Sequence, residues 1–111
     1  IQCALQAQTG VKYDGCCLNC FETQIHALDW HSDDSKEIDH NKPIAIVSLG
    51  AERFIHFRNN ETKEITKQLL ENGSLLIMPA GMQQTYMHKI PKHSADCGPR
   101  ISLTYRGLIH D

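Results

Sequence analysis

His31 and Asp33 stand two residues apart. On an extended strand, positions i and i+2 share a face, so both side chains can reach one point. A first-row metal such as Fe(II) is satisfied by two histidines and one carboxylate on one side. The opposite positions then stay open for substrate and oxygen. Candidates for the third ligand are His40, His56, His88, His93 and His110. His88 stands out because it sits in a strand candidate over residues 83–90, 12 positions before Arg100. An H-x-D pair alone is weak evidence in a chain with seven histidines and seven aspartates, and it suits an exposed polar loop as well.

A second group lies at Arg100-Ile101-Ser102-Leu103-Thr104-Tyr105-Arg106. Period two puts Arg100, Ser102, Thr104 and Arg106 on one face and Ile101, Leu103 and Tyr105 on the other. Two guanidinium forks and two hydroxyls make a carboxylate-binding surface. A solvent-exposed strand face carries the same residue types. Glycine-rich phosphate loops are absent.

The elements that must position these residues read mainly as short strands. Residues 1–8 resemble the end of a short helix, stopped by Thr9-Gly10. Strand candidates follow at 16–22, 43–49, 53–58, 74–78, 83–90 and 100–109, with 65–70 ambiguous between strand and helix. Asn72-Gly73 predicts a hairpin joining 65–70 to 74–78. Short strands separated by turn signals predict an all-β fold, a sandwich or jelly roll, with a short N-terminal helix.

At 111 residues and 41% apolar content, the composition is that of one globular domain rather than a disordered tail or coiled coil. No stretch approaches the roughly 20 apolar residues of a membrane span. Eleven Lys+Arg against 13 Asp+Glu give a net charge of −2, which excludes a basic nucleic-acid sponge but not a local grip on one nucleotide. Arg53, Arg58, Lys89 and Lys92 are available for such contacts. Five cysteines, four of them within the first 20 residues, do not read as a secreted disulfide scaffold. With no apolar h-region in residues 1–10, the expectation is a reducing, cytoplasmic compartment and free thiols. The sequons at Asn60 and Asn72 would then go unused. The start at Ile1 suggests a domain excised from a longer polypeptide.

Together, His31-x-Asp33, the distant His88 and the R-I-S-L-T-Y-R strand resemble the AlkB family of Fe(II)/2-oxoglutarate dioxygenases. Asn19-Cys20-Phe21, Trp30-His31-Ser32-Asp33-Asp34, the 43–50 strand followed by Arg53-Phe54, and Gly73-Ser74-Leu75-Leu76-Ile77-Met78 extend the resemblance from Gly10 to Leu108. The compact form, with Met78-Pro79-x-Gly81-x-Gln83, is most similar to AlkB-like domains embedded in plant RNA virus replicase polyproteins. The resemblance implies a double-stranded β-helix over residues 1–111, lacking most of an N-terminal nucleotide lid. It implies Fe(II) on His31, Asp33 and His88. It implies 2-oxoglutarate on Asn19, Arg100, Ser102, Thr104 and Arg106, with O2 as the oxidant. Asp34 and Arg58 would face the substrate. The implied reaction removes N-methyl groups from nucleobases and releases formaldehyde and succinate. The partner would be methylated nucleic acid, with single-stranded RNA preferred because the base must be unstacked. Flanking replicase domains and the host-cell cytoplasm complete the viral reading. Phe21 and Ser35 depart from the family's tyrosine and acidic residue.

Two other readings use the same residues. The fold could hydroxylate a protein or small molecule instead. A non-enzymatic zinc module could be built on Cys16, Cys17, Cys20 and His26, although a second C-x2-C pair is lacking.

Overall fold

The computed structural model describes residues 10, 13, 15–21, 27–33, 36–92 and 98–109. The expected N-terminal helix lies outside the described residues, as do Asp34, Ser35, His26, His93, His110, Cys3 and Cys97. The elements are β1 (Gly15–Phe21), β2 (Leu28–His31), β3 (Ile44–Gly50), β4 (Arg53–Asn59), β5 (Ile65–Leu70), β6 (Leu75–Met78), α1 (Met82–Thr85), β7 (Tyr86–Ile90) and β8 (Arg100–Arg106). Two four-stranded sheets form, in the orders β1-β8-β3-β6 and β2-β7-β4-β5. Their ladders are antiparallel. Apart from the β4–β5 hairpin, successive strands alternate between the sheets. That winding is the double-stranded β-helix, or jelly roll.

Both sheets supply the core between them. Phe21, Ile44, Ile46 and Met78 come from one, and Ile55, Phe57, Leu70 and Ile90 from the other. Each such side chain contributes about 1.5–3 kcal/mol when fully buried. Strand β3 is buried on both faces, since Ala45 also packs with Tyr13 and Tyr105 in a second cluster on the outer side. This explains why its sequence is an apolar run rather than an alternation.

Three expectations are corrected. The Asn72-Gly73 turn forms, with Ser74 N–H donating to the Glu71 carbonyl at 3.0 Å, but it does not close a hairpin. β5 pairs with β4, whereas β6 pairs with β3, so the turn carries the chain from one sheet to the other. Asn72 Oδ1 accepts from Gly50 N–H at 2.9 Å, tying this corner to the end of β3. The strand expected over 83–90 begins only at Tyr86. Gly81, at φ +84, starts the helical turn α1 instead. The last strand ends at Arg106, and Leu108 makes only an isolated bridge to Ile38.

Two glycines adopt positive φ for different reasons. Gly50 has φ +92, and a Cβ there would collide with the Pro99 carbonyl oxygen. Gly73 has φ +78 with nothing near its missing Cβ. Gly50→Ala is therefore expected to lose about 2–3 kcal/mol and Gly73→Ala about 1 kcal/mol. Urea midpoints of the two variants check this, and equal losses would refute the close approach at Gly50.

Candidate active site

The β2–β7 ladder places His31 and His88 as cross-strand partners. Their ring centroids are 4.3 Å apart. Asp33 lies beyond the end of β2, so strand periodicity alone does not aim it. Gln83 does so: its Oε1 accepts from Asp33 N–H at 2.9 Å, and its Nε2 donates to Met78 Sδ at 3.6 Å. The turn α1 thus holds the segment that follows His31. His31 Nδ1 lies 2.7 Å from the Asp29 carbonyl oxygen. A carbonyl only accepts, so Nδ1 carries the proton and Nε2 keeps its lone pair.

The opposite wall is the inner face of β8. Arg100, Ser102 and Thr104 are buried, while Ile101 on the other face is exposed. The usual amphipathic arrangement is inverted here, with the polar stripe inside. Asn19 of β1 and Ser48 of β3 flank Ser102 in the register. Arg106 Nη2 donates to Asp33 Oδ1 at 2.9 Å, joining the two walls across the site. Both partners are mostly buried, so this pair is screened less than a surface one.

Arg100 is fully enclosed. Its Nη2 donates to Ser48 Oγ at 2.8 Å, and its guanidinium lies 5.5 Å from the Phe21 ring centroid. Arg53, also buried, lies 5.4 Å from the same centroid and donates to the Pro91 carbonyl oxygen at 2.6 Å. Burial, and then the neighbouring Arg53, push the Arg100 pKa down to about 10, which still leaves it cationic at neutral pH. Nε and Nη1 of Arg100 are buried with no hydrogen-bond partner among the described residues. Phe21, which offers no hydroxyl, supplies the ring beside this guanidinium.

One pocket joins the histidines and Asp33 to Ser102, Thr104 and Arg106 of β8, while Arg100 lies outside its lining. Asn19, His31, Asp33, His88, Ser102, Thr104 and Arg106 form its polar lining, and Leu28, Ile46, Ile55 and Ile90 its apolar part. Burial is the largest influence on the His88 imidazole and His31 the next. Together they push its pKa down to about 4, against an opposing effect of Asp33. His88 is therefore neutral at pH 7, the form that ligates metal. Arg58 lies outside the pocket lining, 4.5 Å from the centroid of the Trp30 ring. Reading the sequence missed Gln83 as an anchor, Asp29 as a partner of His31, and Ser48 as a partner of Arg100. These act through backbone atoms or through registers that no local motif displays. The three described cysteines do not converge. Cys16 and Cys20 point outward about 13 Å apart along β1, and Cys17 points inward.

The winding and its polar inner wall define a double-stranded β-helix domain with a polar interior pocket. The chain belongs to the 2OG-Fe(II) oxygenase superfamily, whose family model matches residues 1–106. It is 30% identical over 116 residues to the alpha-ketoglutarate-dependent dioxygenase alkB homolog 3 of Bos taurus, covering 96% of this chain and 41% of the relative. It is 28% identical over 109 residues to the DNA oxidative demethylase ALKBH2 of Mus musculus, covering 91% of this chain and 46% of the relative. The chain thus spans less than half the length of these curated relatives. The solved structure of OsALKBH1 superposes with a TM-score of 0.72 at 19% identity, over 96% of this chain and 61% of that one, which bears on the fold alone.

Membership brings Fe(II), 2-oxoglutarate and O2 as the cofactors of this domain. The residues present fit them. A histidine with its Nδ1 bonded to a backbone carbonyl directs Nε2 outward as a ligand. Nη1 of the buried Arg100 cation, which has no partner among the described residues, is free to donate to a carboxylate oxygen. Among the described residues, no three His, Cys, Asp or Glu side chains already stand in ligating arrangement. Arg106 engages one oxygen of Asp33.

Two outcomes follow from this geometry. The unfolded His88 imidazole takes up a proton near pH 6.5, and the folded one only near 4. In that window the unfolded state binds more protons, so the metal-free protein loses stability as pH falls from 6.5 to about 4. The slope from this residue is at most about 1.4 kcal/mol per pH unit. Urea midpoints across this range should fall less steeply in His88→Gln. Arg100→Lys keeps the charge but loses the fork, so the half-saturation for 2-oxoglutarate should rise about tenfold or more. Succinate formation at varied 2-oxoglutarate measures it, and an unchanged value would remove Arg100 from the site.

Proposed function

We propose that this chain is an oxidative demethylase that removes N-methyl groups from nucleobases, with single-stranded RNA as its preferred substrate. The observation that carries the reading is the pocket that joins His31, Asp33 and His88 to the inner face of β8. The similarity to a relative named DNA oxidative demethylase supports the reaction class. In this reading residues 1–111 form a single dioxygenase core, and the resemblance to replicase-embedded domains supports a viral setting.

In this reading His31, Asp33 and His88 hold Fe(II). Asn19, Arg100, Ser102, Thr104 and Arg106 hold 2-oxoglutarate. Bound Fe(II), with 2-oxoglutarate and O2, supplies the oxidation of the N-methyl carbon, after which the hydroxymethyl group leaves as formaldehyde and the co-substrate leaves as succinate and CO2. Arg100 receives the carboxylate remote from the metal, through Nη1. Arg106 orients Asp33 through one oxygen, leaving the other for the metal. Gln83 fixes the Asp33 backbone, and Asp29 fixes the tautomer and direction of His31. Leu28, Ile46, Ile55 and Ile90 limit water around the reacting centre. Asp34 and Arg58 serve the substrate, Asp34 beside the base and Arg58 at the margin of the site.

The RNA preference rests on three supports: the resemblance to replicase-embedded domains, the net charge of −2, and the cost of unstacking a base. A few kcal/mol must be spent to extrude a base from a duplex and less from a single strand, which shifts preference by up to about 100-fold. Formaldehyde release from matched single-stranded RNA and double-stranded DNA bearing the same methylated base, at one salt concentration, tests it. Faster turnover of the RNA is expected. Equal or faster turnover of duplex DNA would overturn the RNA preference, and formaldehyde release from neither would overturn the demethylase reading.

A further inference from the structure

The outer face of the β2-β7-β4-β5 sheet carries a row of basic side chains. Arg53, Ile55 and Phe57 of β4 are buried, so Phe54, His56 and Arg58 point the other way. The register sets Lys89 of β7 and Lys67 of β5 on either side of His56. The three basic residues therefore lie in one line across three strands, spanning about 10 Å. None of the outward residues of β4, β5 and β7 is acidic. Among the described residues, neither lysine pairs with a carboxylate. The effect registers at His56, whose pKa is lowered by burial and then by Lys67 and Lys89.

The row lies on the face of the sheet opposite the pocket, and the edge strand β2 contributes to both faces. Trp30 immediately precedes His31, and its ring centroid lies 4.5 Å from the Arg58 guanidinium and 4.8 Å from the Lys89 ammonium. Such contacts hold both cations in place on the outer face, next to the edge strand β2. Phe54, 45% exposed, presents an aromatic ring on the same face, two residues from His56. Two lysine cations flanking an imidazole, with an aromatic ring at their margin, match a phosphodiester backbone with unstacked bases. In a chain of net charge −2 this is a local concentration of positive charge rather than a bulk property.

We propose that this face is the docking track for the single strand that flanks the target base. Lys89, His56 and Lys67 meet neighbouring phosphates, Trp30 braces the cations next to β2, and Phe54 stacks a base. The proposal rests on the nucleic-acid reading above and adds the surface that would carry the strand.

The test is fluorescence anisotropy of the full chain with a labelled, unmethylated single-stranded RNA, at salt concentrations from about 50 to 200 mM. Lys67→Glu and Lys89→Glu should each weaken binding several-fold and reduce the slope of log affinity against log salt by about 1. Lys67→Gln, which adds no new charge, should show the same direction with a smaller loss. Succinate formation without nucleic acid should be unchanged in Lys67→Glu. Unaltered affinity and slope in both lysine variants overturn the track, as does failure of the unaltered chain to bind RNA. An acidic peptide bound as tightly as the RNA, and lost in the same variants, overturns the nucleic-acid assignment in favour of a protein partner. The two proposals separate cleanly. Demethylation with lysine-independent binding leaves the function and removes the track, whereas lysine-dependent binding without demethylation of any methylated substrate does the reverse.

Discussion

A guanidinium enclosed by protein must be answered by hydrogen bonds or an opposite charge, because desolvating it is otherwise costly. Arg100 is such a group, and much of the domain is arranged around it. Its strand lies in the interior of a sheet, between β1 and β3. β3 supplies Ser48 as a hydroxyl acceptor, and β1 supplies the Phe21 ring. Phe21 thereby belongs both to the apolar core and to the surroundings of the cation. The remaining guanidinium nitrogens face inward with nothing described to receive them.

The site needs both sheets because each contributes chemistry the other lacks. The β2-β7 side brings two imidazoles together through its register, and the β8 side brings the cations. The Arg106–Asp33 pair joins them across the gap. Burial keeps His88 uncharged at neutral pH, so a metal need not displace a proton from it. Placement of Asp33 depends on a glutamine fifty residues away in sequence, carried by a single helical turn. That turn interrupts what would otherwise read as continuous strand.

Strand β7 shows how one element can serve two surfaces. Alternation sends His88 inward and Lys89 outward. The residue that faces the metal side and a cation on the open face are therefore consecutive in sequence. Trp30 and His31 repeat the arrangement on the neighbouring strand, where the register shift after Leu28 lets both Leu28 and His31 line the pocket. An interior site and an exterior basic face are thus rigidly related through the thickness of a single sheet.

Residue types and spacing determined much by themselves. The strands β3, β4 and β6 and the alternation in Arg100–Arg106 are legible without a fold, because period two and turn chemistry are local properties, whereas residues 65–70 suit a helix as well as a strand. Those properties say which side chains share a face, not which face is buried. The polar stripe of β8 suited solvent as well as a binding wall, and only the packing of its sheet against β2-β7-β4-β5 set it inside. Turn chemistry likewise showed that the chain reverses at Asn72-Gly73 but not with which strand each arm pairs. Five histidines remained candidates to accompany His31 and Asp33 until the β2–β7 register placed His88 opposite His31. Face, partner and register are set by which apolar surfaces can be buried together, and that is decided by the whole chain at once.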